Sequence, residues 1–583
     1  MSLKHRFENY TQLFSNRLSN VDALPQLAIL GLLSGIATAV IILIFRFCIE
    51  FPLSFFLPNG DPENFEGLSG SLRALLPLSA ASILAITWYK IKPPNRKVGV
   101  SLVMERLNYH QGYISGRSFF AQFCAGVVSI IGGLSSGREG PAVHLGAACS
   151  SLLGQKMRLP NNSIRTLVAC GTAAAISASF NTPIAGVIFA MEVVMMEYTV
   201  VGFTPVVISS VSAAVLSHAV YGAETAFLVP HLFLNSLLEI PYIILCGFLI
   251  GAIGAAFVFI TTFFMRFSSL NIFYRILIAG LITAAIASVF PQIMGIGYDT
   301  VNLSLNNTVS VWLFIAIAVA KLFATSISAG LGMPIGVIGP TLFIGATFGA
   351  AMGVIAQHLM PEIASTPGLY AMLGMGAMMG AVLQAPLSAL MAILELTSNH
   401  NFIVPGMLMI VTAHLVANTL FKQKSLFLSV LEKQGLNYNA NPTLQVLRRS
   451  SVESVMDRKF AQTGRFLALS EAKELLRLSP TWLIIEDDNQ IPVSLLPAVD
   501  LVHFLETLKD SDEPAHIDLI EMPAQRRNAF ALYNQATLQE ALDHFAEKQC
   551  DVLYVERRGS TISRIIGVVA RTDVENHYKY KKV

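Results

Sequence analysis

Long apolar runs begin at Leu24 and recur until about Leu420, with polar positions gathered in the breaks between them. The clearest are Leu27–Phe45, Leu72–Trp88, Phe119–Leu134, Val201–Val220, Ile240–Phe264, Ile276–Phe290 and Val311–Ser328, and a further set from Ile335 to Leu420 is almost free of charge. About 20 apolar residues cross the ~30 Å hydrocarbon layer of a bilayer, so these runs predict membrane helices. Two regions, 130–190 and 330–390, are shorter or interrupted by Gly and Pro. Short, interrupted segments in matching positions mark helices broken at membrane depth. Lys90, Lys92, Arg96 and Lys97 follow the second run, and Lys156, Arg158, Arg165, Lys422 and Lys424 lie in other connections. The positive-inside rule puts them in the cytoplasm. Residues 1–23 carry Lys4, Arg6, Glu8 and Arg17 among Phe7, Tyr10, Leu13, Phe14 and Leu18. That spacing suits an amphipathic cytoplasmic segment on the membrane surface, or a polar lead-in helix, and not a signal peptide.

After about Tyr438 charge returns and the pattern becomes that of an α/β domain, residues 439–583. Two units within it, about 450–508 and 517–580, look alike. One has a helical stretch near Ser470–Leu478, a strand Trp482–Ile485, then Pro492–Leu501. The other has Leu538–Phe545, a strand Val552–Val555, then Gly567–Val574. Each ends in apolar residues, a short polar turn and an Asp placed to cap the next helix. Composition agrees with a membrane protein carrying a soluble tail. Hydrophobic residues make up 54% and charged residues 13%, against roughly 25% charged in globular chains. Mean hydropathy is +0.59, which excludes both a soluble globule and a disordered chain. A net charge of +2 gives no case for nucleic acid. Cys48, Cys124, Cys149, Cys170, Cys246 and Cys550 show no CxxC spacing and predict small core residues rather than metal ligands.

An internal repeat carries the chemistry. Gly137-Arg138-Glu139-Gly140-Pro141, followed by Gly146-Ala147, has the same GxxGPxxxxGA pattern as Gly336-Val337-Ile338-Gly339-Pro340 with Gly345-Ala346. Downstream, Pro183 precedes Glu192 by the same nine positions that separate Pro386 from Glu395. The membrane region, 24–438, therefore reads as two homologous halves, about 24–220 and 241–438. Gly lets the backbone approach a ligand closely, and Pro suits the first turn of a helix. A GxxGP element at membrane depth predicts a broken chain followed by a helix whose first N–H groups lack partners. Such groups cost several kcal/mol each in hydrocarbon unless something satisfies them. An anion does so, aided by the helix dipole. Halves of opposed topology would aim these N-termini at one point near the midplane.

Glu139 is the residue to explain, because an acid at membrane depth costs about 2.5–3.5 kcal/mol and is a functional suspect by default. Ionised, it can occupy the anion site as a tethered competitor; protonated, it can swing away. Arg138 is expected in a structural ion pair, and Glu192 and Glu395 in support of the fold. His144, five residues after Glu139, is expected to be a hydrogen-bonded structural histidine, with a proton relay as the alternative. No HExxH or similar metal spacing occurs.

These residues resemble the CLC chloride channels and chloride/proton exchangers, over about residues 25–435. The resemblance implies a mainly α polytopic membrane protein of CLC fold, two inverted halves with broken helices, and a glutamate gate at Glu139. It implies a homodimer with one pore per subunit and both termini cytoplasmic, in a bacterial inner (plasma) membrane. The tail resembles a pair of CBS motifs, a module that binds adenine nucleotides between its units. Thr572 and Asp573 match its nucleotide contacts, with a plain helix cap as the alternative for Asp573. Transport itself requires no cofactor.

The match is incomplete at four places. The first anion motif, GSGIP, falls on Gly99-Val100-Ser101-Leu102-Val103, so Val100 stands where the serine belongs and Ser101 is one step away. Ile338 replaces an aromatic in Gly336–Pro340, whose backbone N–H groups remain. Phe427 takes the inner-gate tyrosine position and lacks its hydroxyl. Val193 takes the place of the internal proton-transfer glutamate, while Glu192 is rotated about 100° from it on a helix. With Gly137, Arg138, Gly140, Pro141, Gly336, Val337, Gly339 and Pro340, the residues Val100, Ser101, Ile338 and Phe427 complete the expected anion path, and Val193 stands apart from it on the proton side. The reading is chloride transport gated by Glu139, passive or weakly coupled to protons. The alternative is a chloride/proton antiporter whose proton route avoids the usual internal glutamate. A fluoride transporter and a membrane-embedded enzyme rank behind both.

Overall fold

A computed structural model describes residues 24–198, 200–222, 227, 232–306, 310–436, 447–448, 450–507, 516–558 and 563–580. The amphipathic segment expected at residues 1–23 lies outside them. Two compact units result. The larger, residues 27–156 and 164–438, is helical. Among the described residues, nine helices are long and apolar enough to cross a membrane.

Its first half runs α1 (Leu24–Phe56), α2 (Gly70–Lys90), α3 (Val100–Tyr109), α4 (Gly116–Ile131), α5 (Glu139–Lys156), α6 (Asn161–Phe180), α7 (Pro183–Phe189) and α8 (Val200–Tyr221). The second runs α9 (Ile240–Phe264), α10 (Ile272–Val289), α11 (Tyr298–Asn306), α12 (Val311–Gly330), α13 (Ile338–Leu359), α14 (Pro367–Leu383), α15 (Pro386–Thr397), α16 (Ile403–Leu415) and α17 (Leu426–Lys433). Helix α1 continues a full 11 residues past the apolar run that predicted it. Arg46 and Glu50 pair across one turn at 2.5 Å, so the added turns neutralise their own charge.

The core is built on small residues. Helix α14 is buried at every position, and it packs along α13 as α6 packs along α5. A Cβ on Gly146 would lie 2.2 Å from the Gly171 carbonyl oxygen, and one on Gly345 2.2 Å from that of Gly374. The repeated GA pair that ends each motif is thus the place where two helix backbones touch, as membrane helices do when only packing holds them.

The two halves also exchange caps. The Glu192 carboxylate accepts the N–H groups of Leu387 (3.2 Å) and Ser388 (2.7 Å), at the start of α15. The Glu395 carboxylate accepts those of Ile184 (2.9 Å) and Ala185 (2.7 Å), at the start of α7. Each acid satisfies donors that have no partner within their own helix.

The smaller unit holds residues 439–583 together with the short connection 157–163. Strands β1 (Phe460–Gly464) and β2 (Phe466–Ala468) lead to helix α18 (Leu469–Arg477), strands β3 (Trp482–Glu486) and β4 (Pro492–Pro497) and helix α19 (Ala498–Thr507). After β5 (His516–Asp518) and β6 (Arg527–Asn528) come β7 (Ala531–Tyr533), α20 (Leu538–Lys548), β8 (Val552–Arg558), β9 (Ser563–Ala570) and α21 (Arg571–Tyr580). Strand β1 pairs parallel with β3, which pairs antiparallel with β4; β7, β8 and β9 repeat that arrangement. Ile484 and Leu495 of one sheet meet Val552, Tyr554 and Val568 of the other in a shared core. The polar turn expected before each closing helix is absent, since β4 runs straight into α19 and β9 into α21. Asp500 caps a different segment, accepting the Gln525 N–H at 2.7 Å.

Candidate functional site

The two glycine-rich breaks meet backbone to backbone. Gly137 and Gly336 form an isolated antiparallel bridge, with the Gly137 N–H on the Gly336 carbonyl at 2.9 Å. The Gly336 N–H donates to Ser136 Oγ at 3.0 Å. A Cβ on Gly336 would sit 2.1 Å from the Gly137 oxygen, so only glycine permits this approach. Helices α5 and α13 start from this contact, and Pro141 and Pro340 each occupy the third helical position, where a missing N–H costs nothing.

Glu139 opens α5 and is fully buried. Its Oε2 accepts the N–H of Gly339, in the first turn of α13, at 3.0 Å. Its Oε1 accepts the Tyr298 hydroxyl at 2.5 Å. A carboxylate therefore fills the position in which an anion would meet a free main-chain N–H at the positive end of a helix. Tyr298 is held between Phe227 and Phe180, with ring centroids 5.0 and 6.4 Å away. The turn that carries it is fixed by Lys321, whose buried Nζ donates to the carbonyls of Ile293 (2.9 Å), Gly295 (3.1 Å) and Ile296 (3.4 Å).

An open cavity of about 330 Å³ reaches this junction from the side on which α2 ends. Val100, Ser101, Gly140, Gly336, Val337 and Phe427 all line it. Residues from four separate stretches of sequence thus share one space. Val100 and Ser101 both face it, at the N-terminus of α3. Among the remaining expected residues, Ile338, Gly339 and Pro340 are buried behind the lining in α13, and Gly137 sits in the backbone bridge. The Arg138 guanidinium turns away to Glu50 (3.2 Å) and stands 5.5 Å from the Tyr298 ring centroid. Val193 is buried in the wide π turn, Ala190–Met195, that follows α7. His144 is tied on both nitrogens: Nδ1 accepts the Gly99 N–H at 3.1 Å and Nε2 meets Ser118 Oγ at 3.1 Å. In the smaller unit, Asp573 reaches back to the Ala570 N–H at 3.1 Å, and Thr572 is exposed.

Beside Tyr298, Asp299 meets acids from the connection between α1 and α2, outside the apolar spanning helices. The Asp299 N–H donates to Glu63 Oε2 at 2.9 Å. Burial, reinforced by Asp299, pushes the Glu63 carboxyl up to about 7. Burial also raises Glu66 and Asp299, reinforced at Glu66 by the Asp299 charge and at Asp299 by the Asp61 charge.

Sequence reasoning missed Tyr298 and Lys321. Lys321 had a signal, as the sole charge in the run Val311–Ser328, where an ionisable residue warrants attention. Tyr298 had none, because its role depends on a contact 159 residues away.

Two repeated halves whose breaks converge on one buried carboxylate define a multi-pass membrane transporter or channel. The voltage gated chloride channel family matches residues 79–418, and the chain belongs to that family, whose members move anions and are not enzymes. A ClcB-like chloride channel relative from Ralstonia nicotianae is 33% identical over 411 residues, covering 67% of this chain and 93% of its own. Among solved structures, a slow cyanobacterial Cl⁻/H⁺ antiporter matches with a TM-score of 0.62 at 22% identity, covering 70% of this chain and 97% of its own. A eukaryotic CLC transporter matches with 0.57 at 19%, covering 94% of this chain and 97% of its own. The expected CLC fold is thus the fold of this chain.

Proposed function

We propose that this protein carries chloride through a pore gated by Glu139, passively or with loose proton coupling. One observation carries the reading: the Glu139 carboxylate rests on the Gly339 N–H, a seat that a halide would share. Ionised Glu139 then competes with chloride; protonated Glu139 loses its charge and releases the seat. Val100, Ser101, Gly140, Gly336, Val337 and Phe427 form the approach, with Phe427 supplying a ring but no hydroxyl donor. Loose coupling follows from the inner end. Val193 cannot carry a proton, and Glu192 is engaged with Leu387 and Ser388.

A second reading, chloride/proton antiport, is favoured by the cyanobacterial neighbour, itself a slow Cl⁻/H⁺ antiporter. Protons would then reach Glu139 through water or another acid. We also infer a homodimer in a bacterial plasma membrane, with both termini and the basic connection after α2 in the cytoplasm. The smaller unit reads as a CBS pair that holds an adenine nucleotide near Thr572 and Asp573. Such a ligand regulates the pore only if it favours one gate state over the other.

Voltage-clamped flux through reconstituted protein tests this, with chloride and proton gradients varied independently. The expected reversal potential follows chloride and shifts little or not at all with the proton gradient. A stable shift of fixed stoichiometry overturns loose coupling, and absence of chloride flux overturns the transport reading.

A further inference from the structure

The cavity that leads to the Glu139 junction carries three cations, and two are already engaged. Lys97 Nζ lies 2.7 Å from Glu105. Arg96 folds back on the carbonyls of Ile91 and Tyr89, at 2.7 and 3.1 Å. Arg275, in the first turn of α10, differs. Among the described residues no carboxylate pairs with it, and its Nε is buried without a hydrogen-bond partner. Among the described residues the guanidinium makes one hydrogen bond, a long one of 3.4 Å from Nη1 to the Ser268 carbonyl. A guanidinium partly withdrawn from water with no counter-charge is costly, and an anion relieves that cost through charge-assisted hydrogen bonds.

A second observation places this cation on the pathway. Gly332, in the turn between α12 and α13, has φ +83°, and a Cβ there would lie 2.6 Å from Arg275 Nη2. The turn is shaped to leave room for the guanidinium. Four residues later the same strand of chain reaches Gly336, which lines the cavity as Arg275 and Gly332 do. The cation thus sits on the segment that delivers the second glycine-rich break.

We propose that Arg275, seated on the Gly332 turn, forms an anion-capture subsite in this vestibule that loads the permeant halide before it reaches the Gly336–Gly339 seat. The proposal rests on the anion-transport reading for the identity of its ligand. A fixed positive charge in a low-dielectric cleft raises the local anion concentration, and salt screens the effect.

Bromide is the probe. Anomalous scattering from full-length protein crystallised in bromide is expected to show a peak against the Arg275 guanidinium, absent in Arg275→Gln. Liposome flux supplies the second arm. At low ionic strength Arg275→Gln is expected to raise the half-saturating chloride concentration about threefold or more from the vestibule side alone, with the maximal rate kept. Arg275→Lys should retain most of the wild-type affinity, and added inert salt should erase the difference. Wild-type crystals with no bromide at Arg275 overturn the subsite, as does unchanged half-saturation in Arg275→Gln. Bromide bound at Arg275 in a protein that carries no chloride would instead uphold the subsite and overturn the transport reading.

Discussion

Tyr298 donates its hydroxyl to Glu139 Oε1 at 2.5 Å, while the other carboxylate oxygen takes the Gly339 N–H at 3.0 Å. The gate residue of the first half is therefore latched by two groups of the second half at once. A hydrogen bond to a charged group contributes about 1.5–3 kcal/mol. Tyr298→Phe keeps the ring packing and removes that bond, so chloride flux at neutral pH should rise roughly tenfold or more. The same change made in a Glu139→Gln background should add little, and measuring both variants in liposomes isolates the pair.

Glu192 and Glu395 should behave as structural residues. Each accepts two N–H groups at the start of a helix in the opposite half. Replacing either with Ala should lower stability by about 1–2 kcal/mol, in the range of a lost cap. Thermal unfolding in detergent measures it, and the reversal potential of the surviving protein should not change.

Lys321 holds three carbonyls of the turn leading to Tyr298. Lys321→Met removes their donor, at a cost on the order of 2–3 kcal/mol. The expected phenotype combines a lower unfolding temperature with a looser gate, seen as higher flux at neutral pH. Unaltered flux in a folded Lys321→Met variant would show that the turn does not position Tyr298.

The acids before α2 predict a local pH response. Glu63 moves from its ordinary 4.5 to about 7 because burial and Asp299 disfavour its charge. Folding therefore favours the protonated acid. The stabilisation is complete below about 4.5 and is lost as pH rises through about 7. Hydrogen exchange over residues 61–69, corrected for its intrinsic pH dependence, should show weaker protection at pH 8 than at pH 5, and Glu63→Gln should flatten the difference.

Much of this was legible in the sequence, for reasons that differ by residue. Gly137, Gly336, Gly146 and Gly345 recur because main chain must touch main chain at those points, and repetition exposed the constraint. Glu192 and Glu395 kept matched spacing, yet which half each served could not be read, since a cap across 196 or 211 residues leaves no local mark. The end of α1 was placed too early because Arg46 and Glu50 break an apolar run while neutralising each other within the helix. Asp500 looked like a cap and serves Gln525 instead, a choice set by tertiary packing rather than by neighbours in sequence.

Flux against pH in Glu139→Gln tests the competition for the anion seat most directly. Gln keeps the size of the side chain and removes its charge, so transport should run at one level across the range in which wild-type flux changes. A variant that follows pH as the wild type does would mean that Glu139 is not the gate.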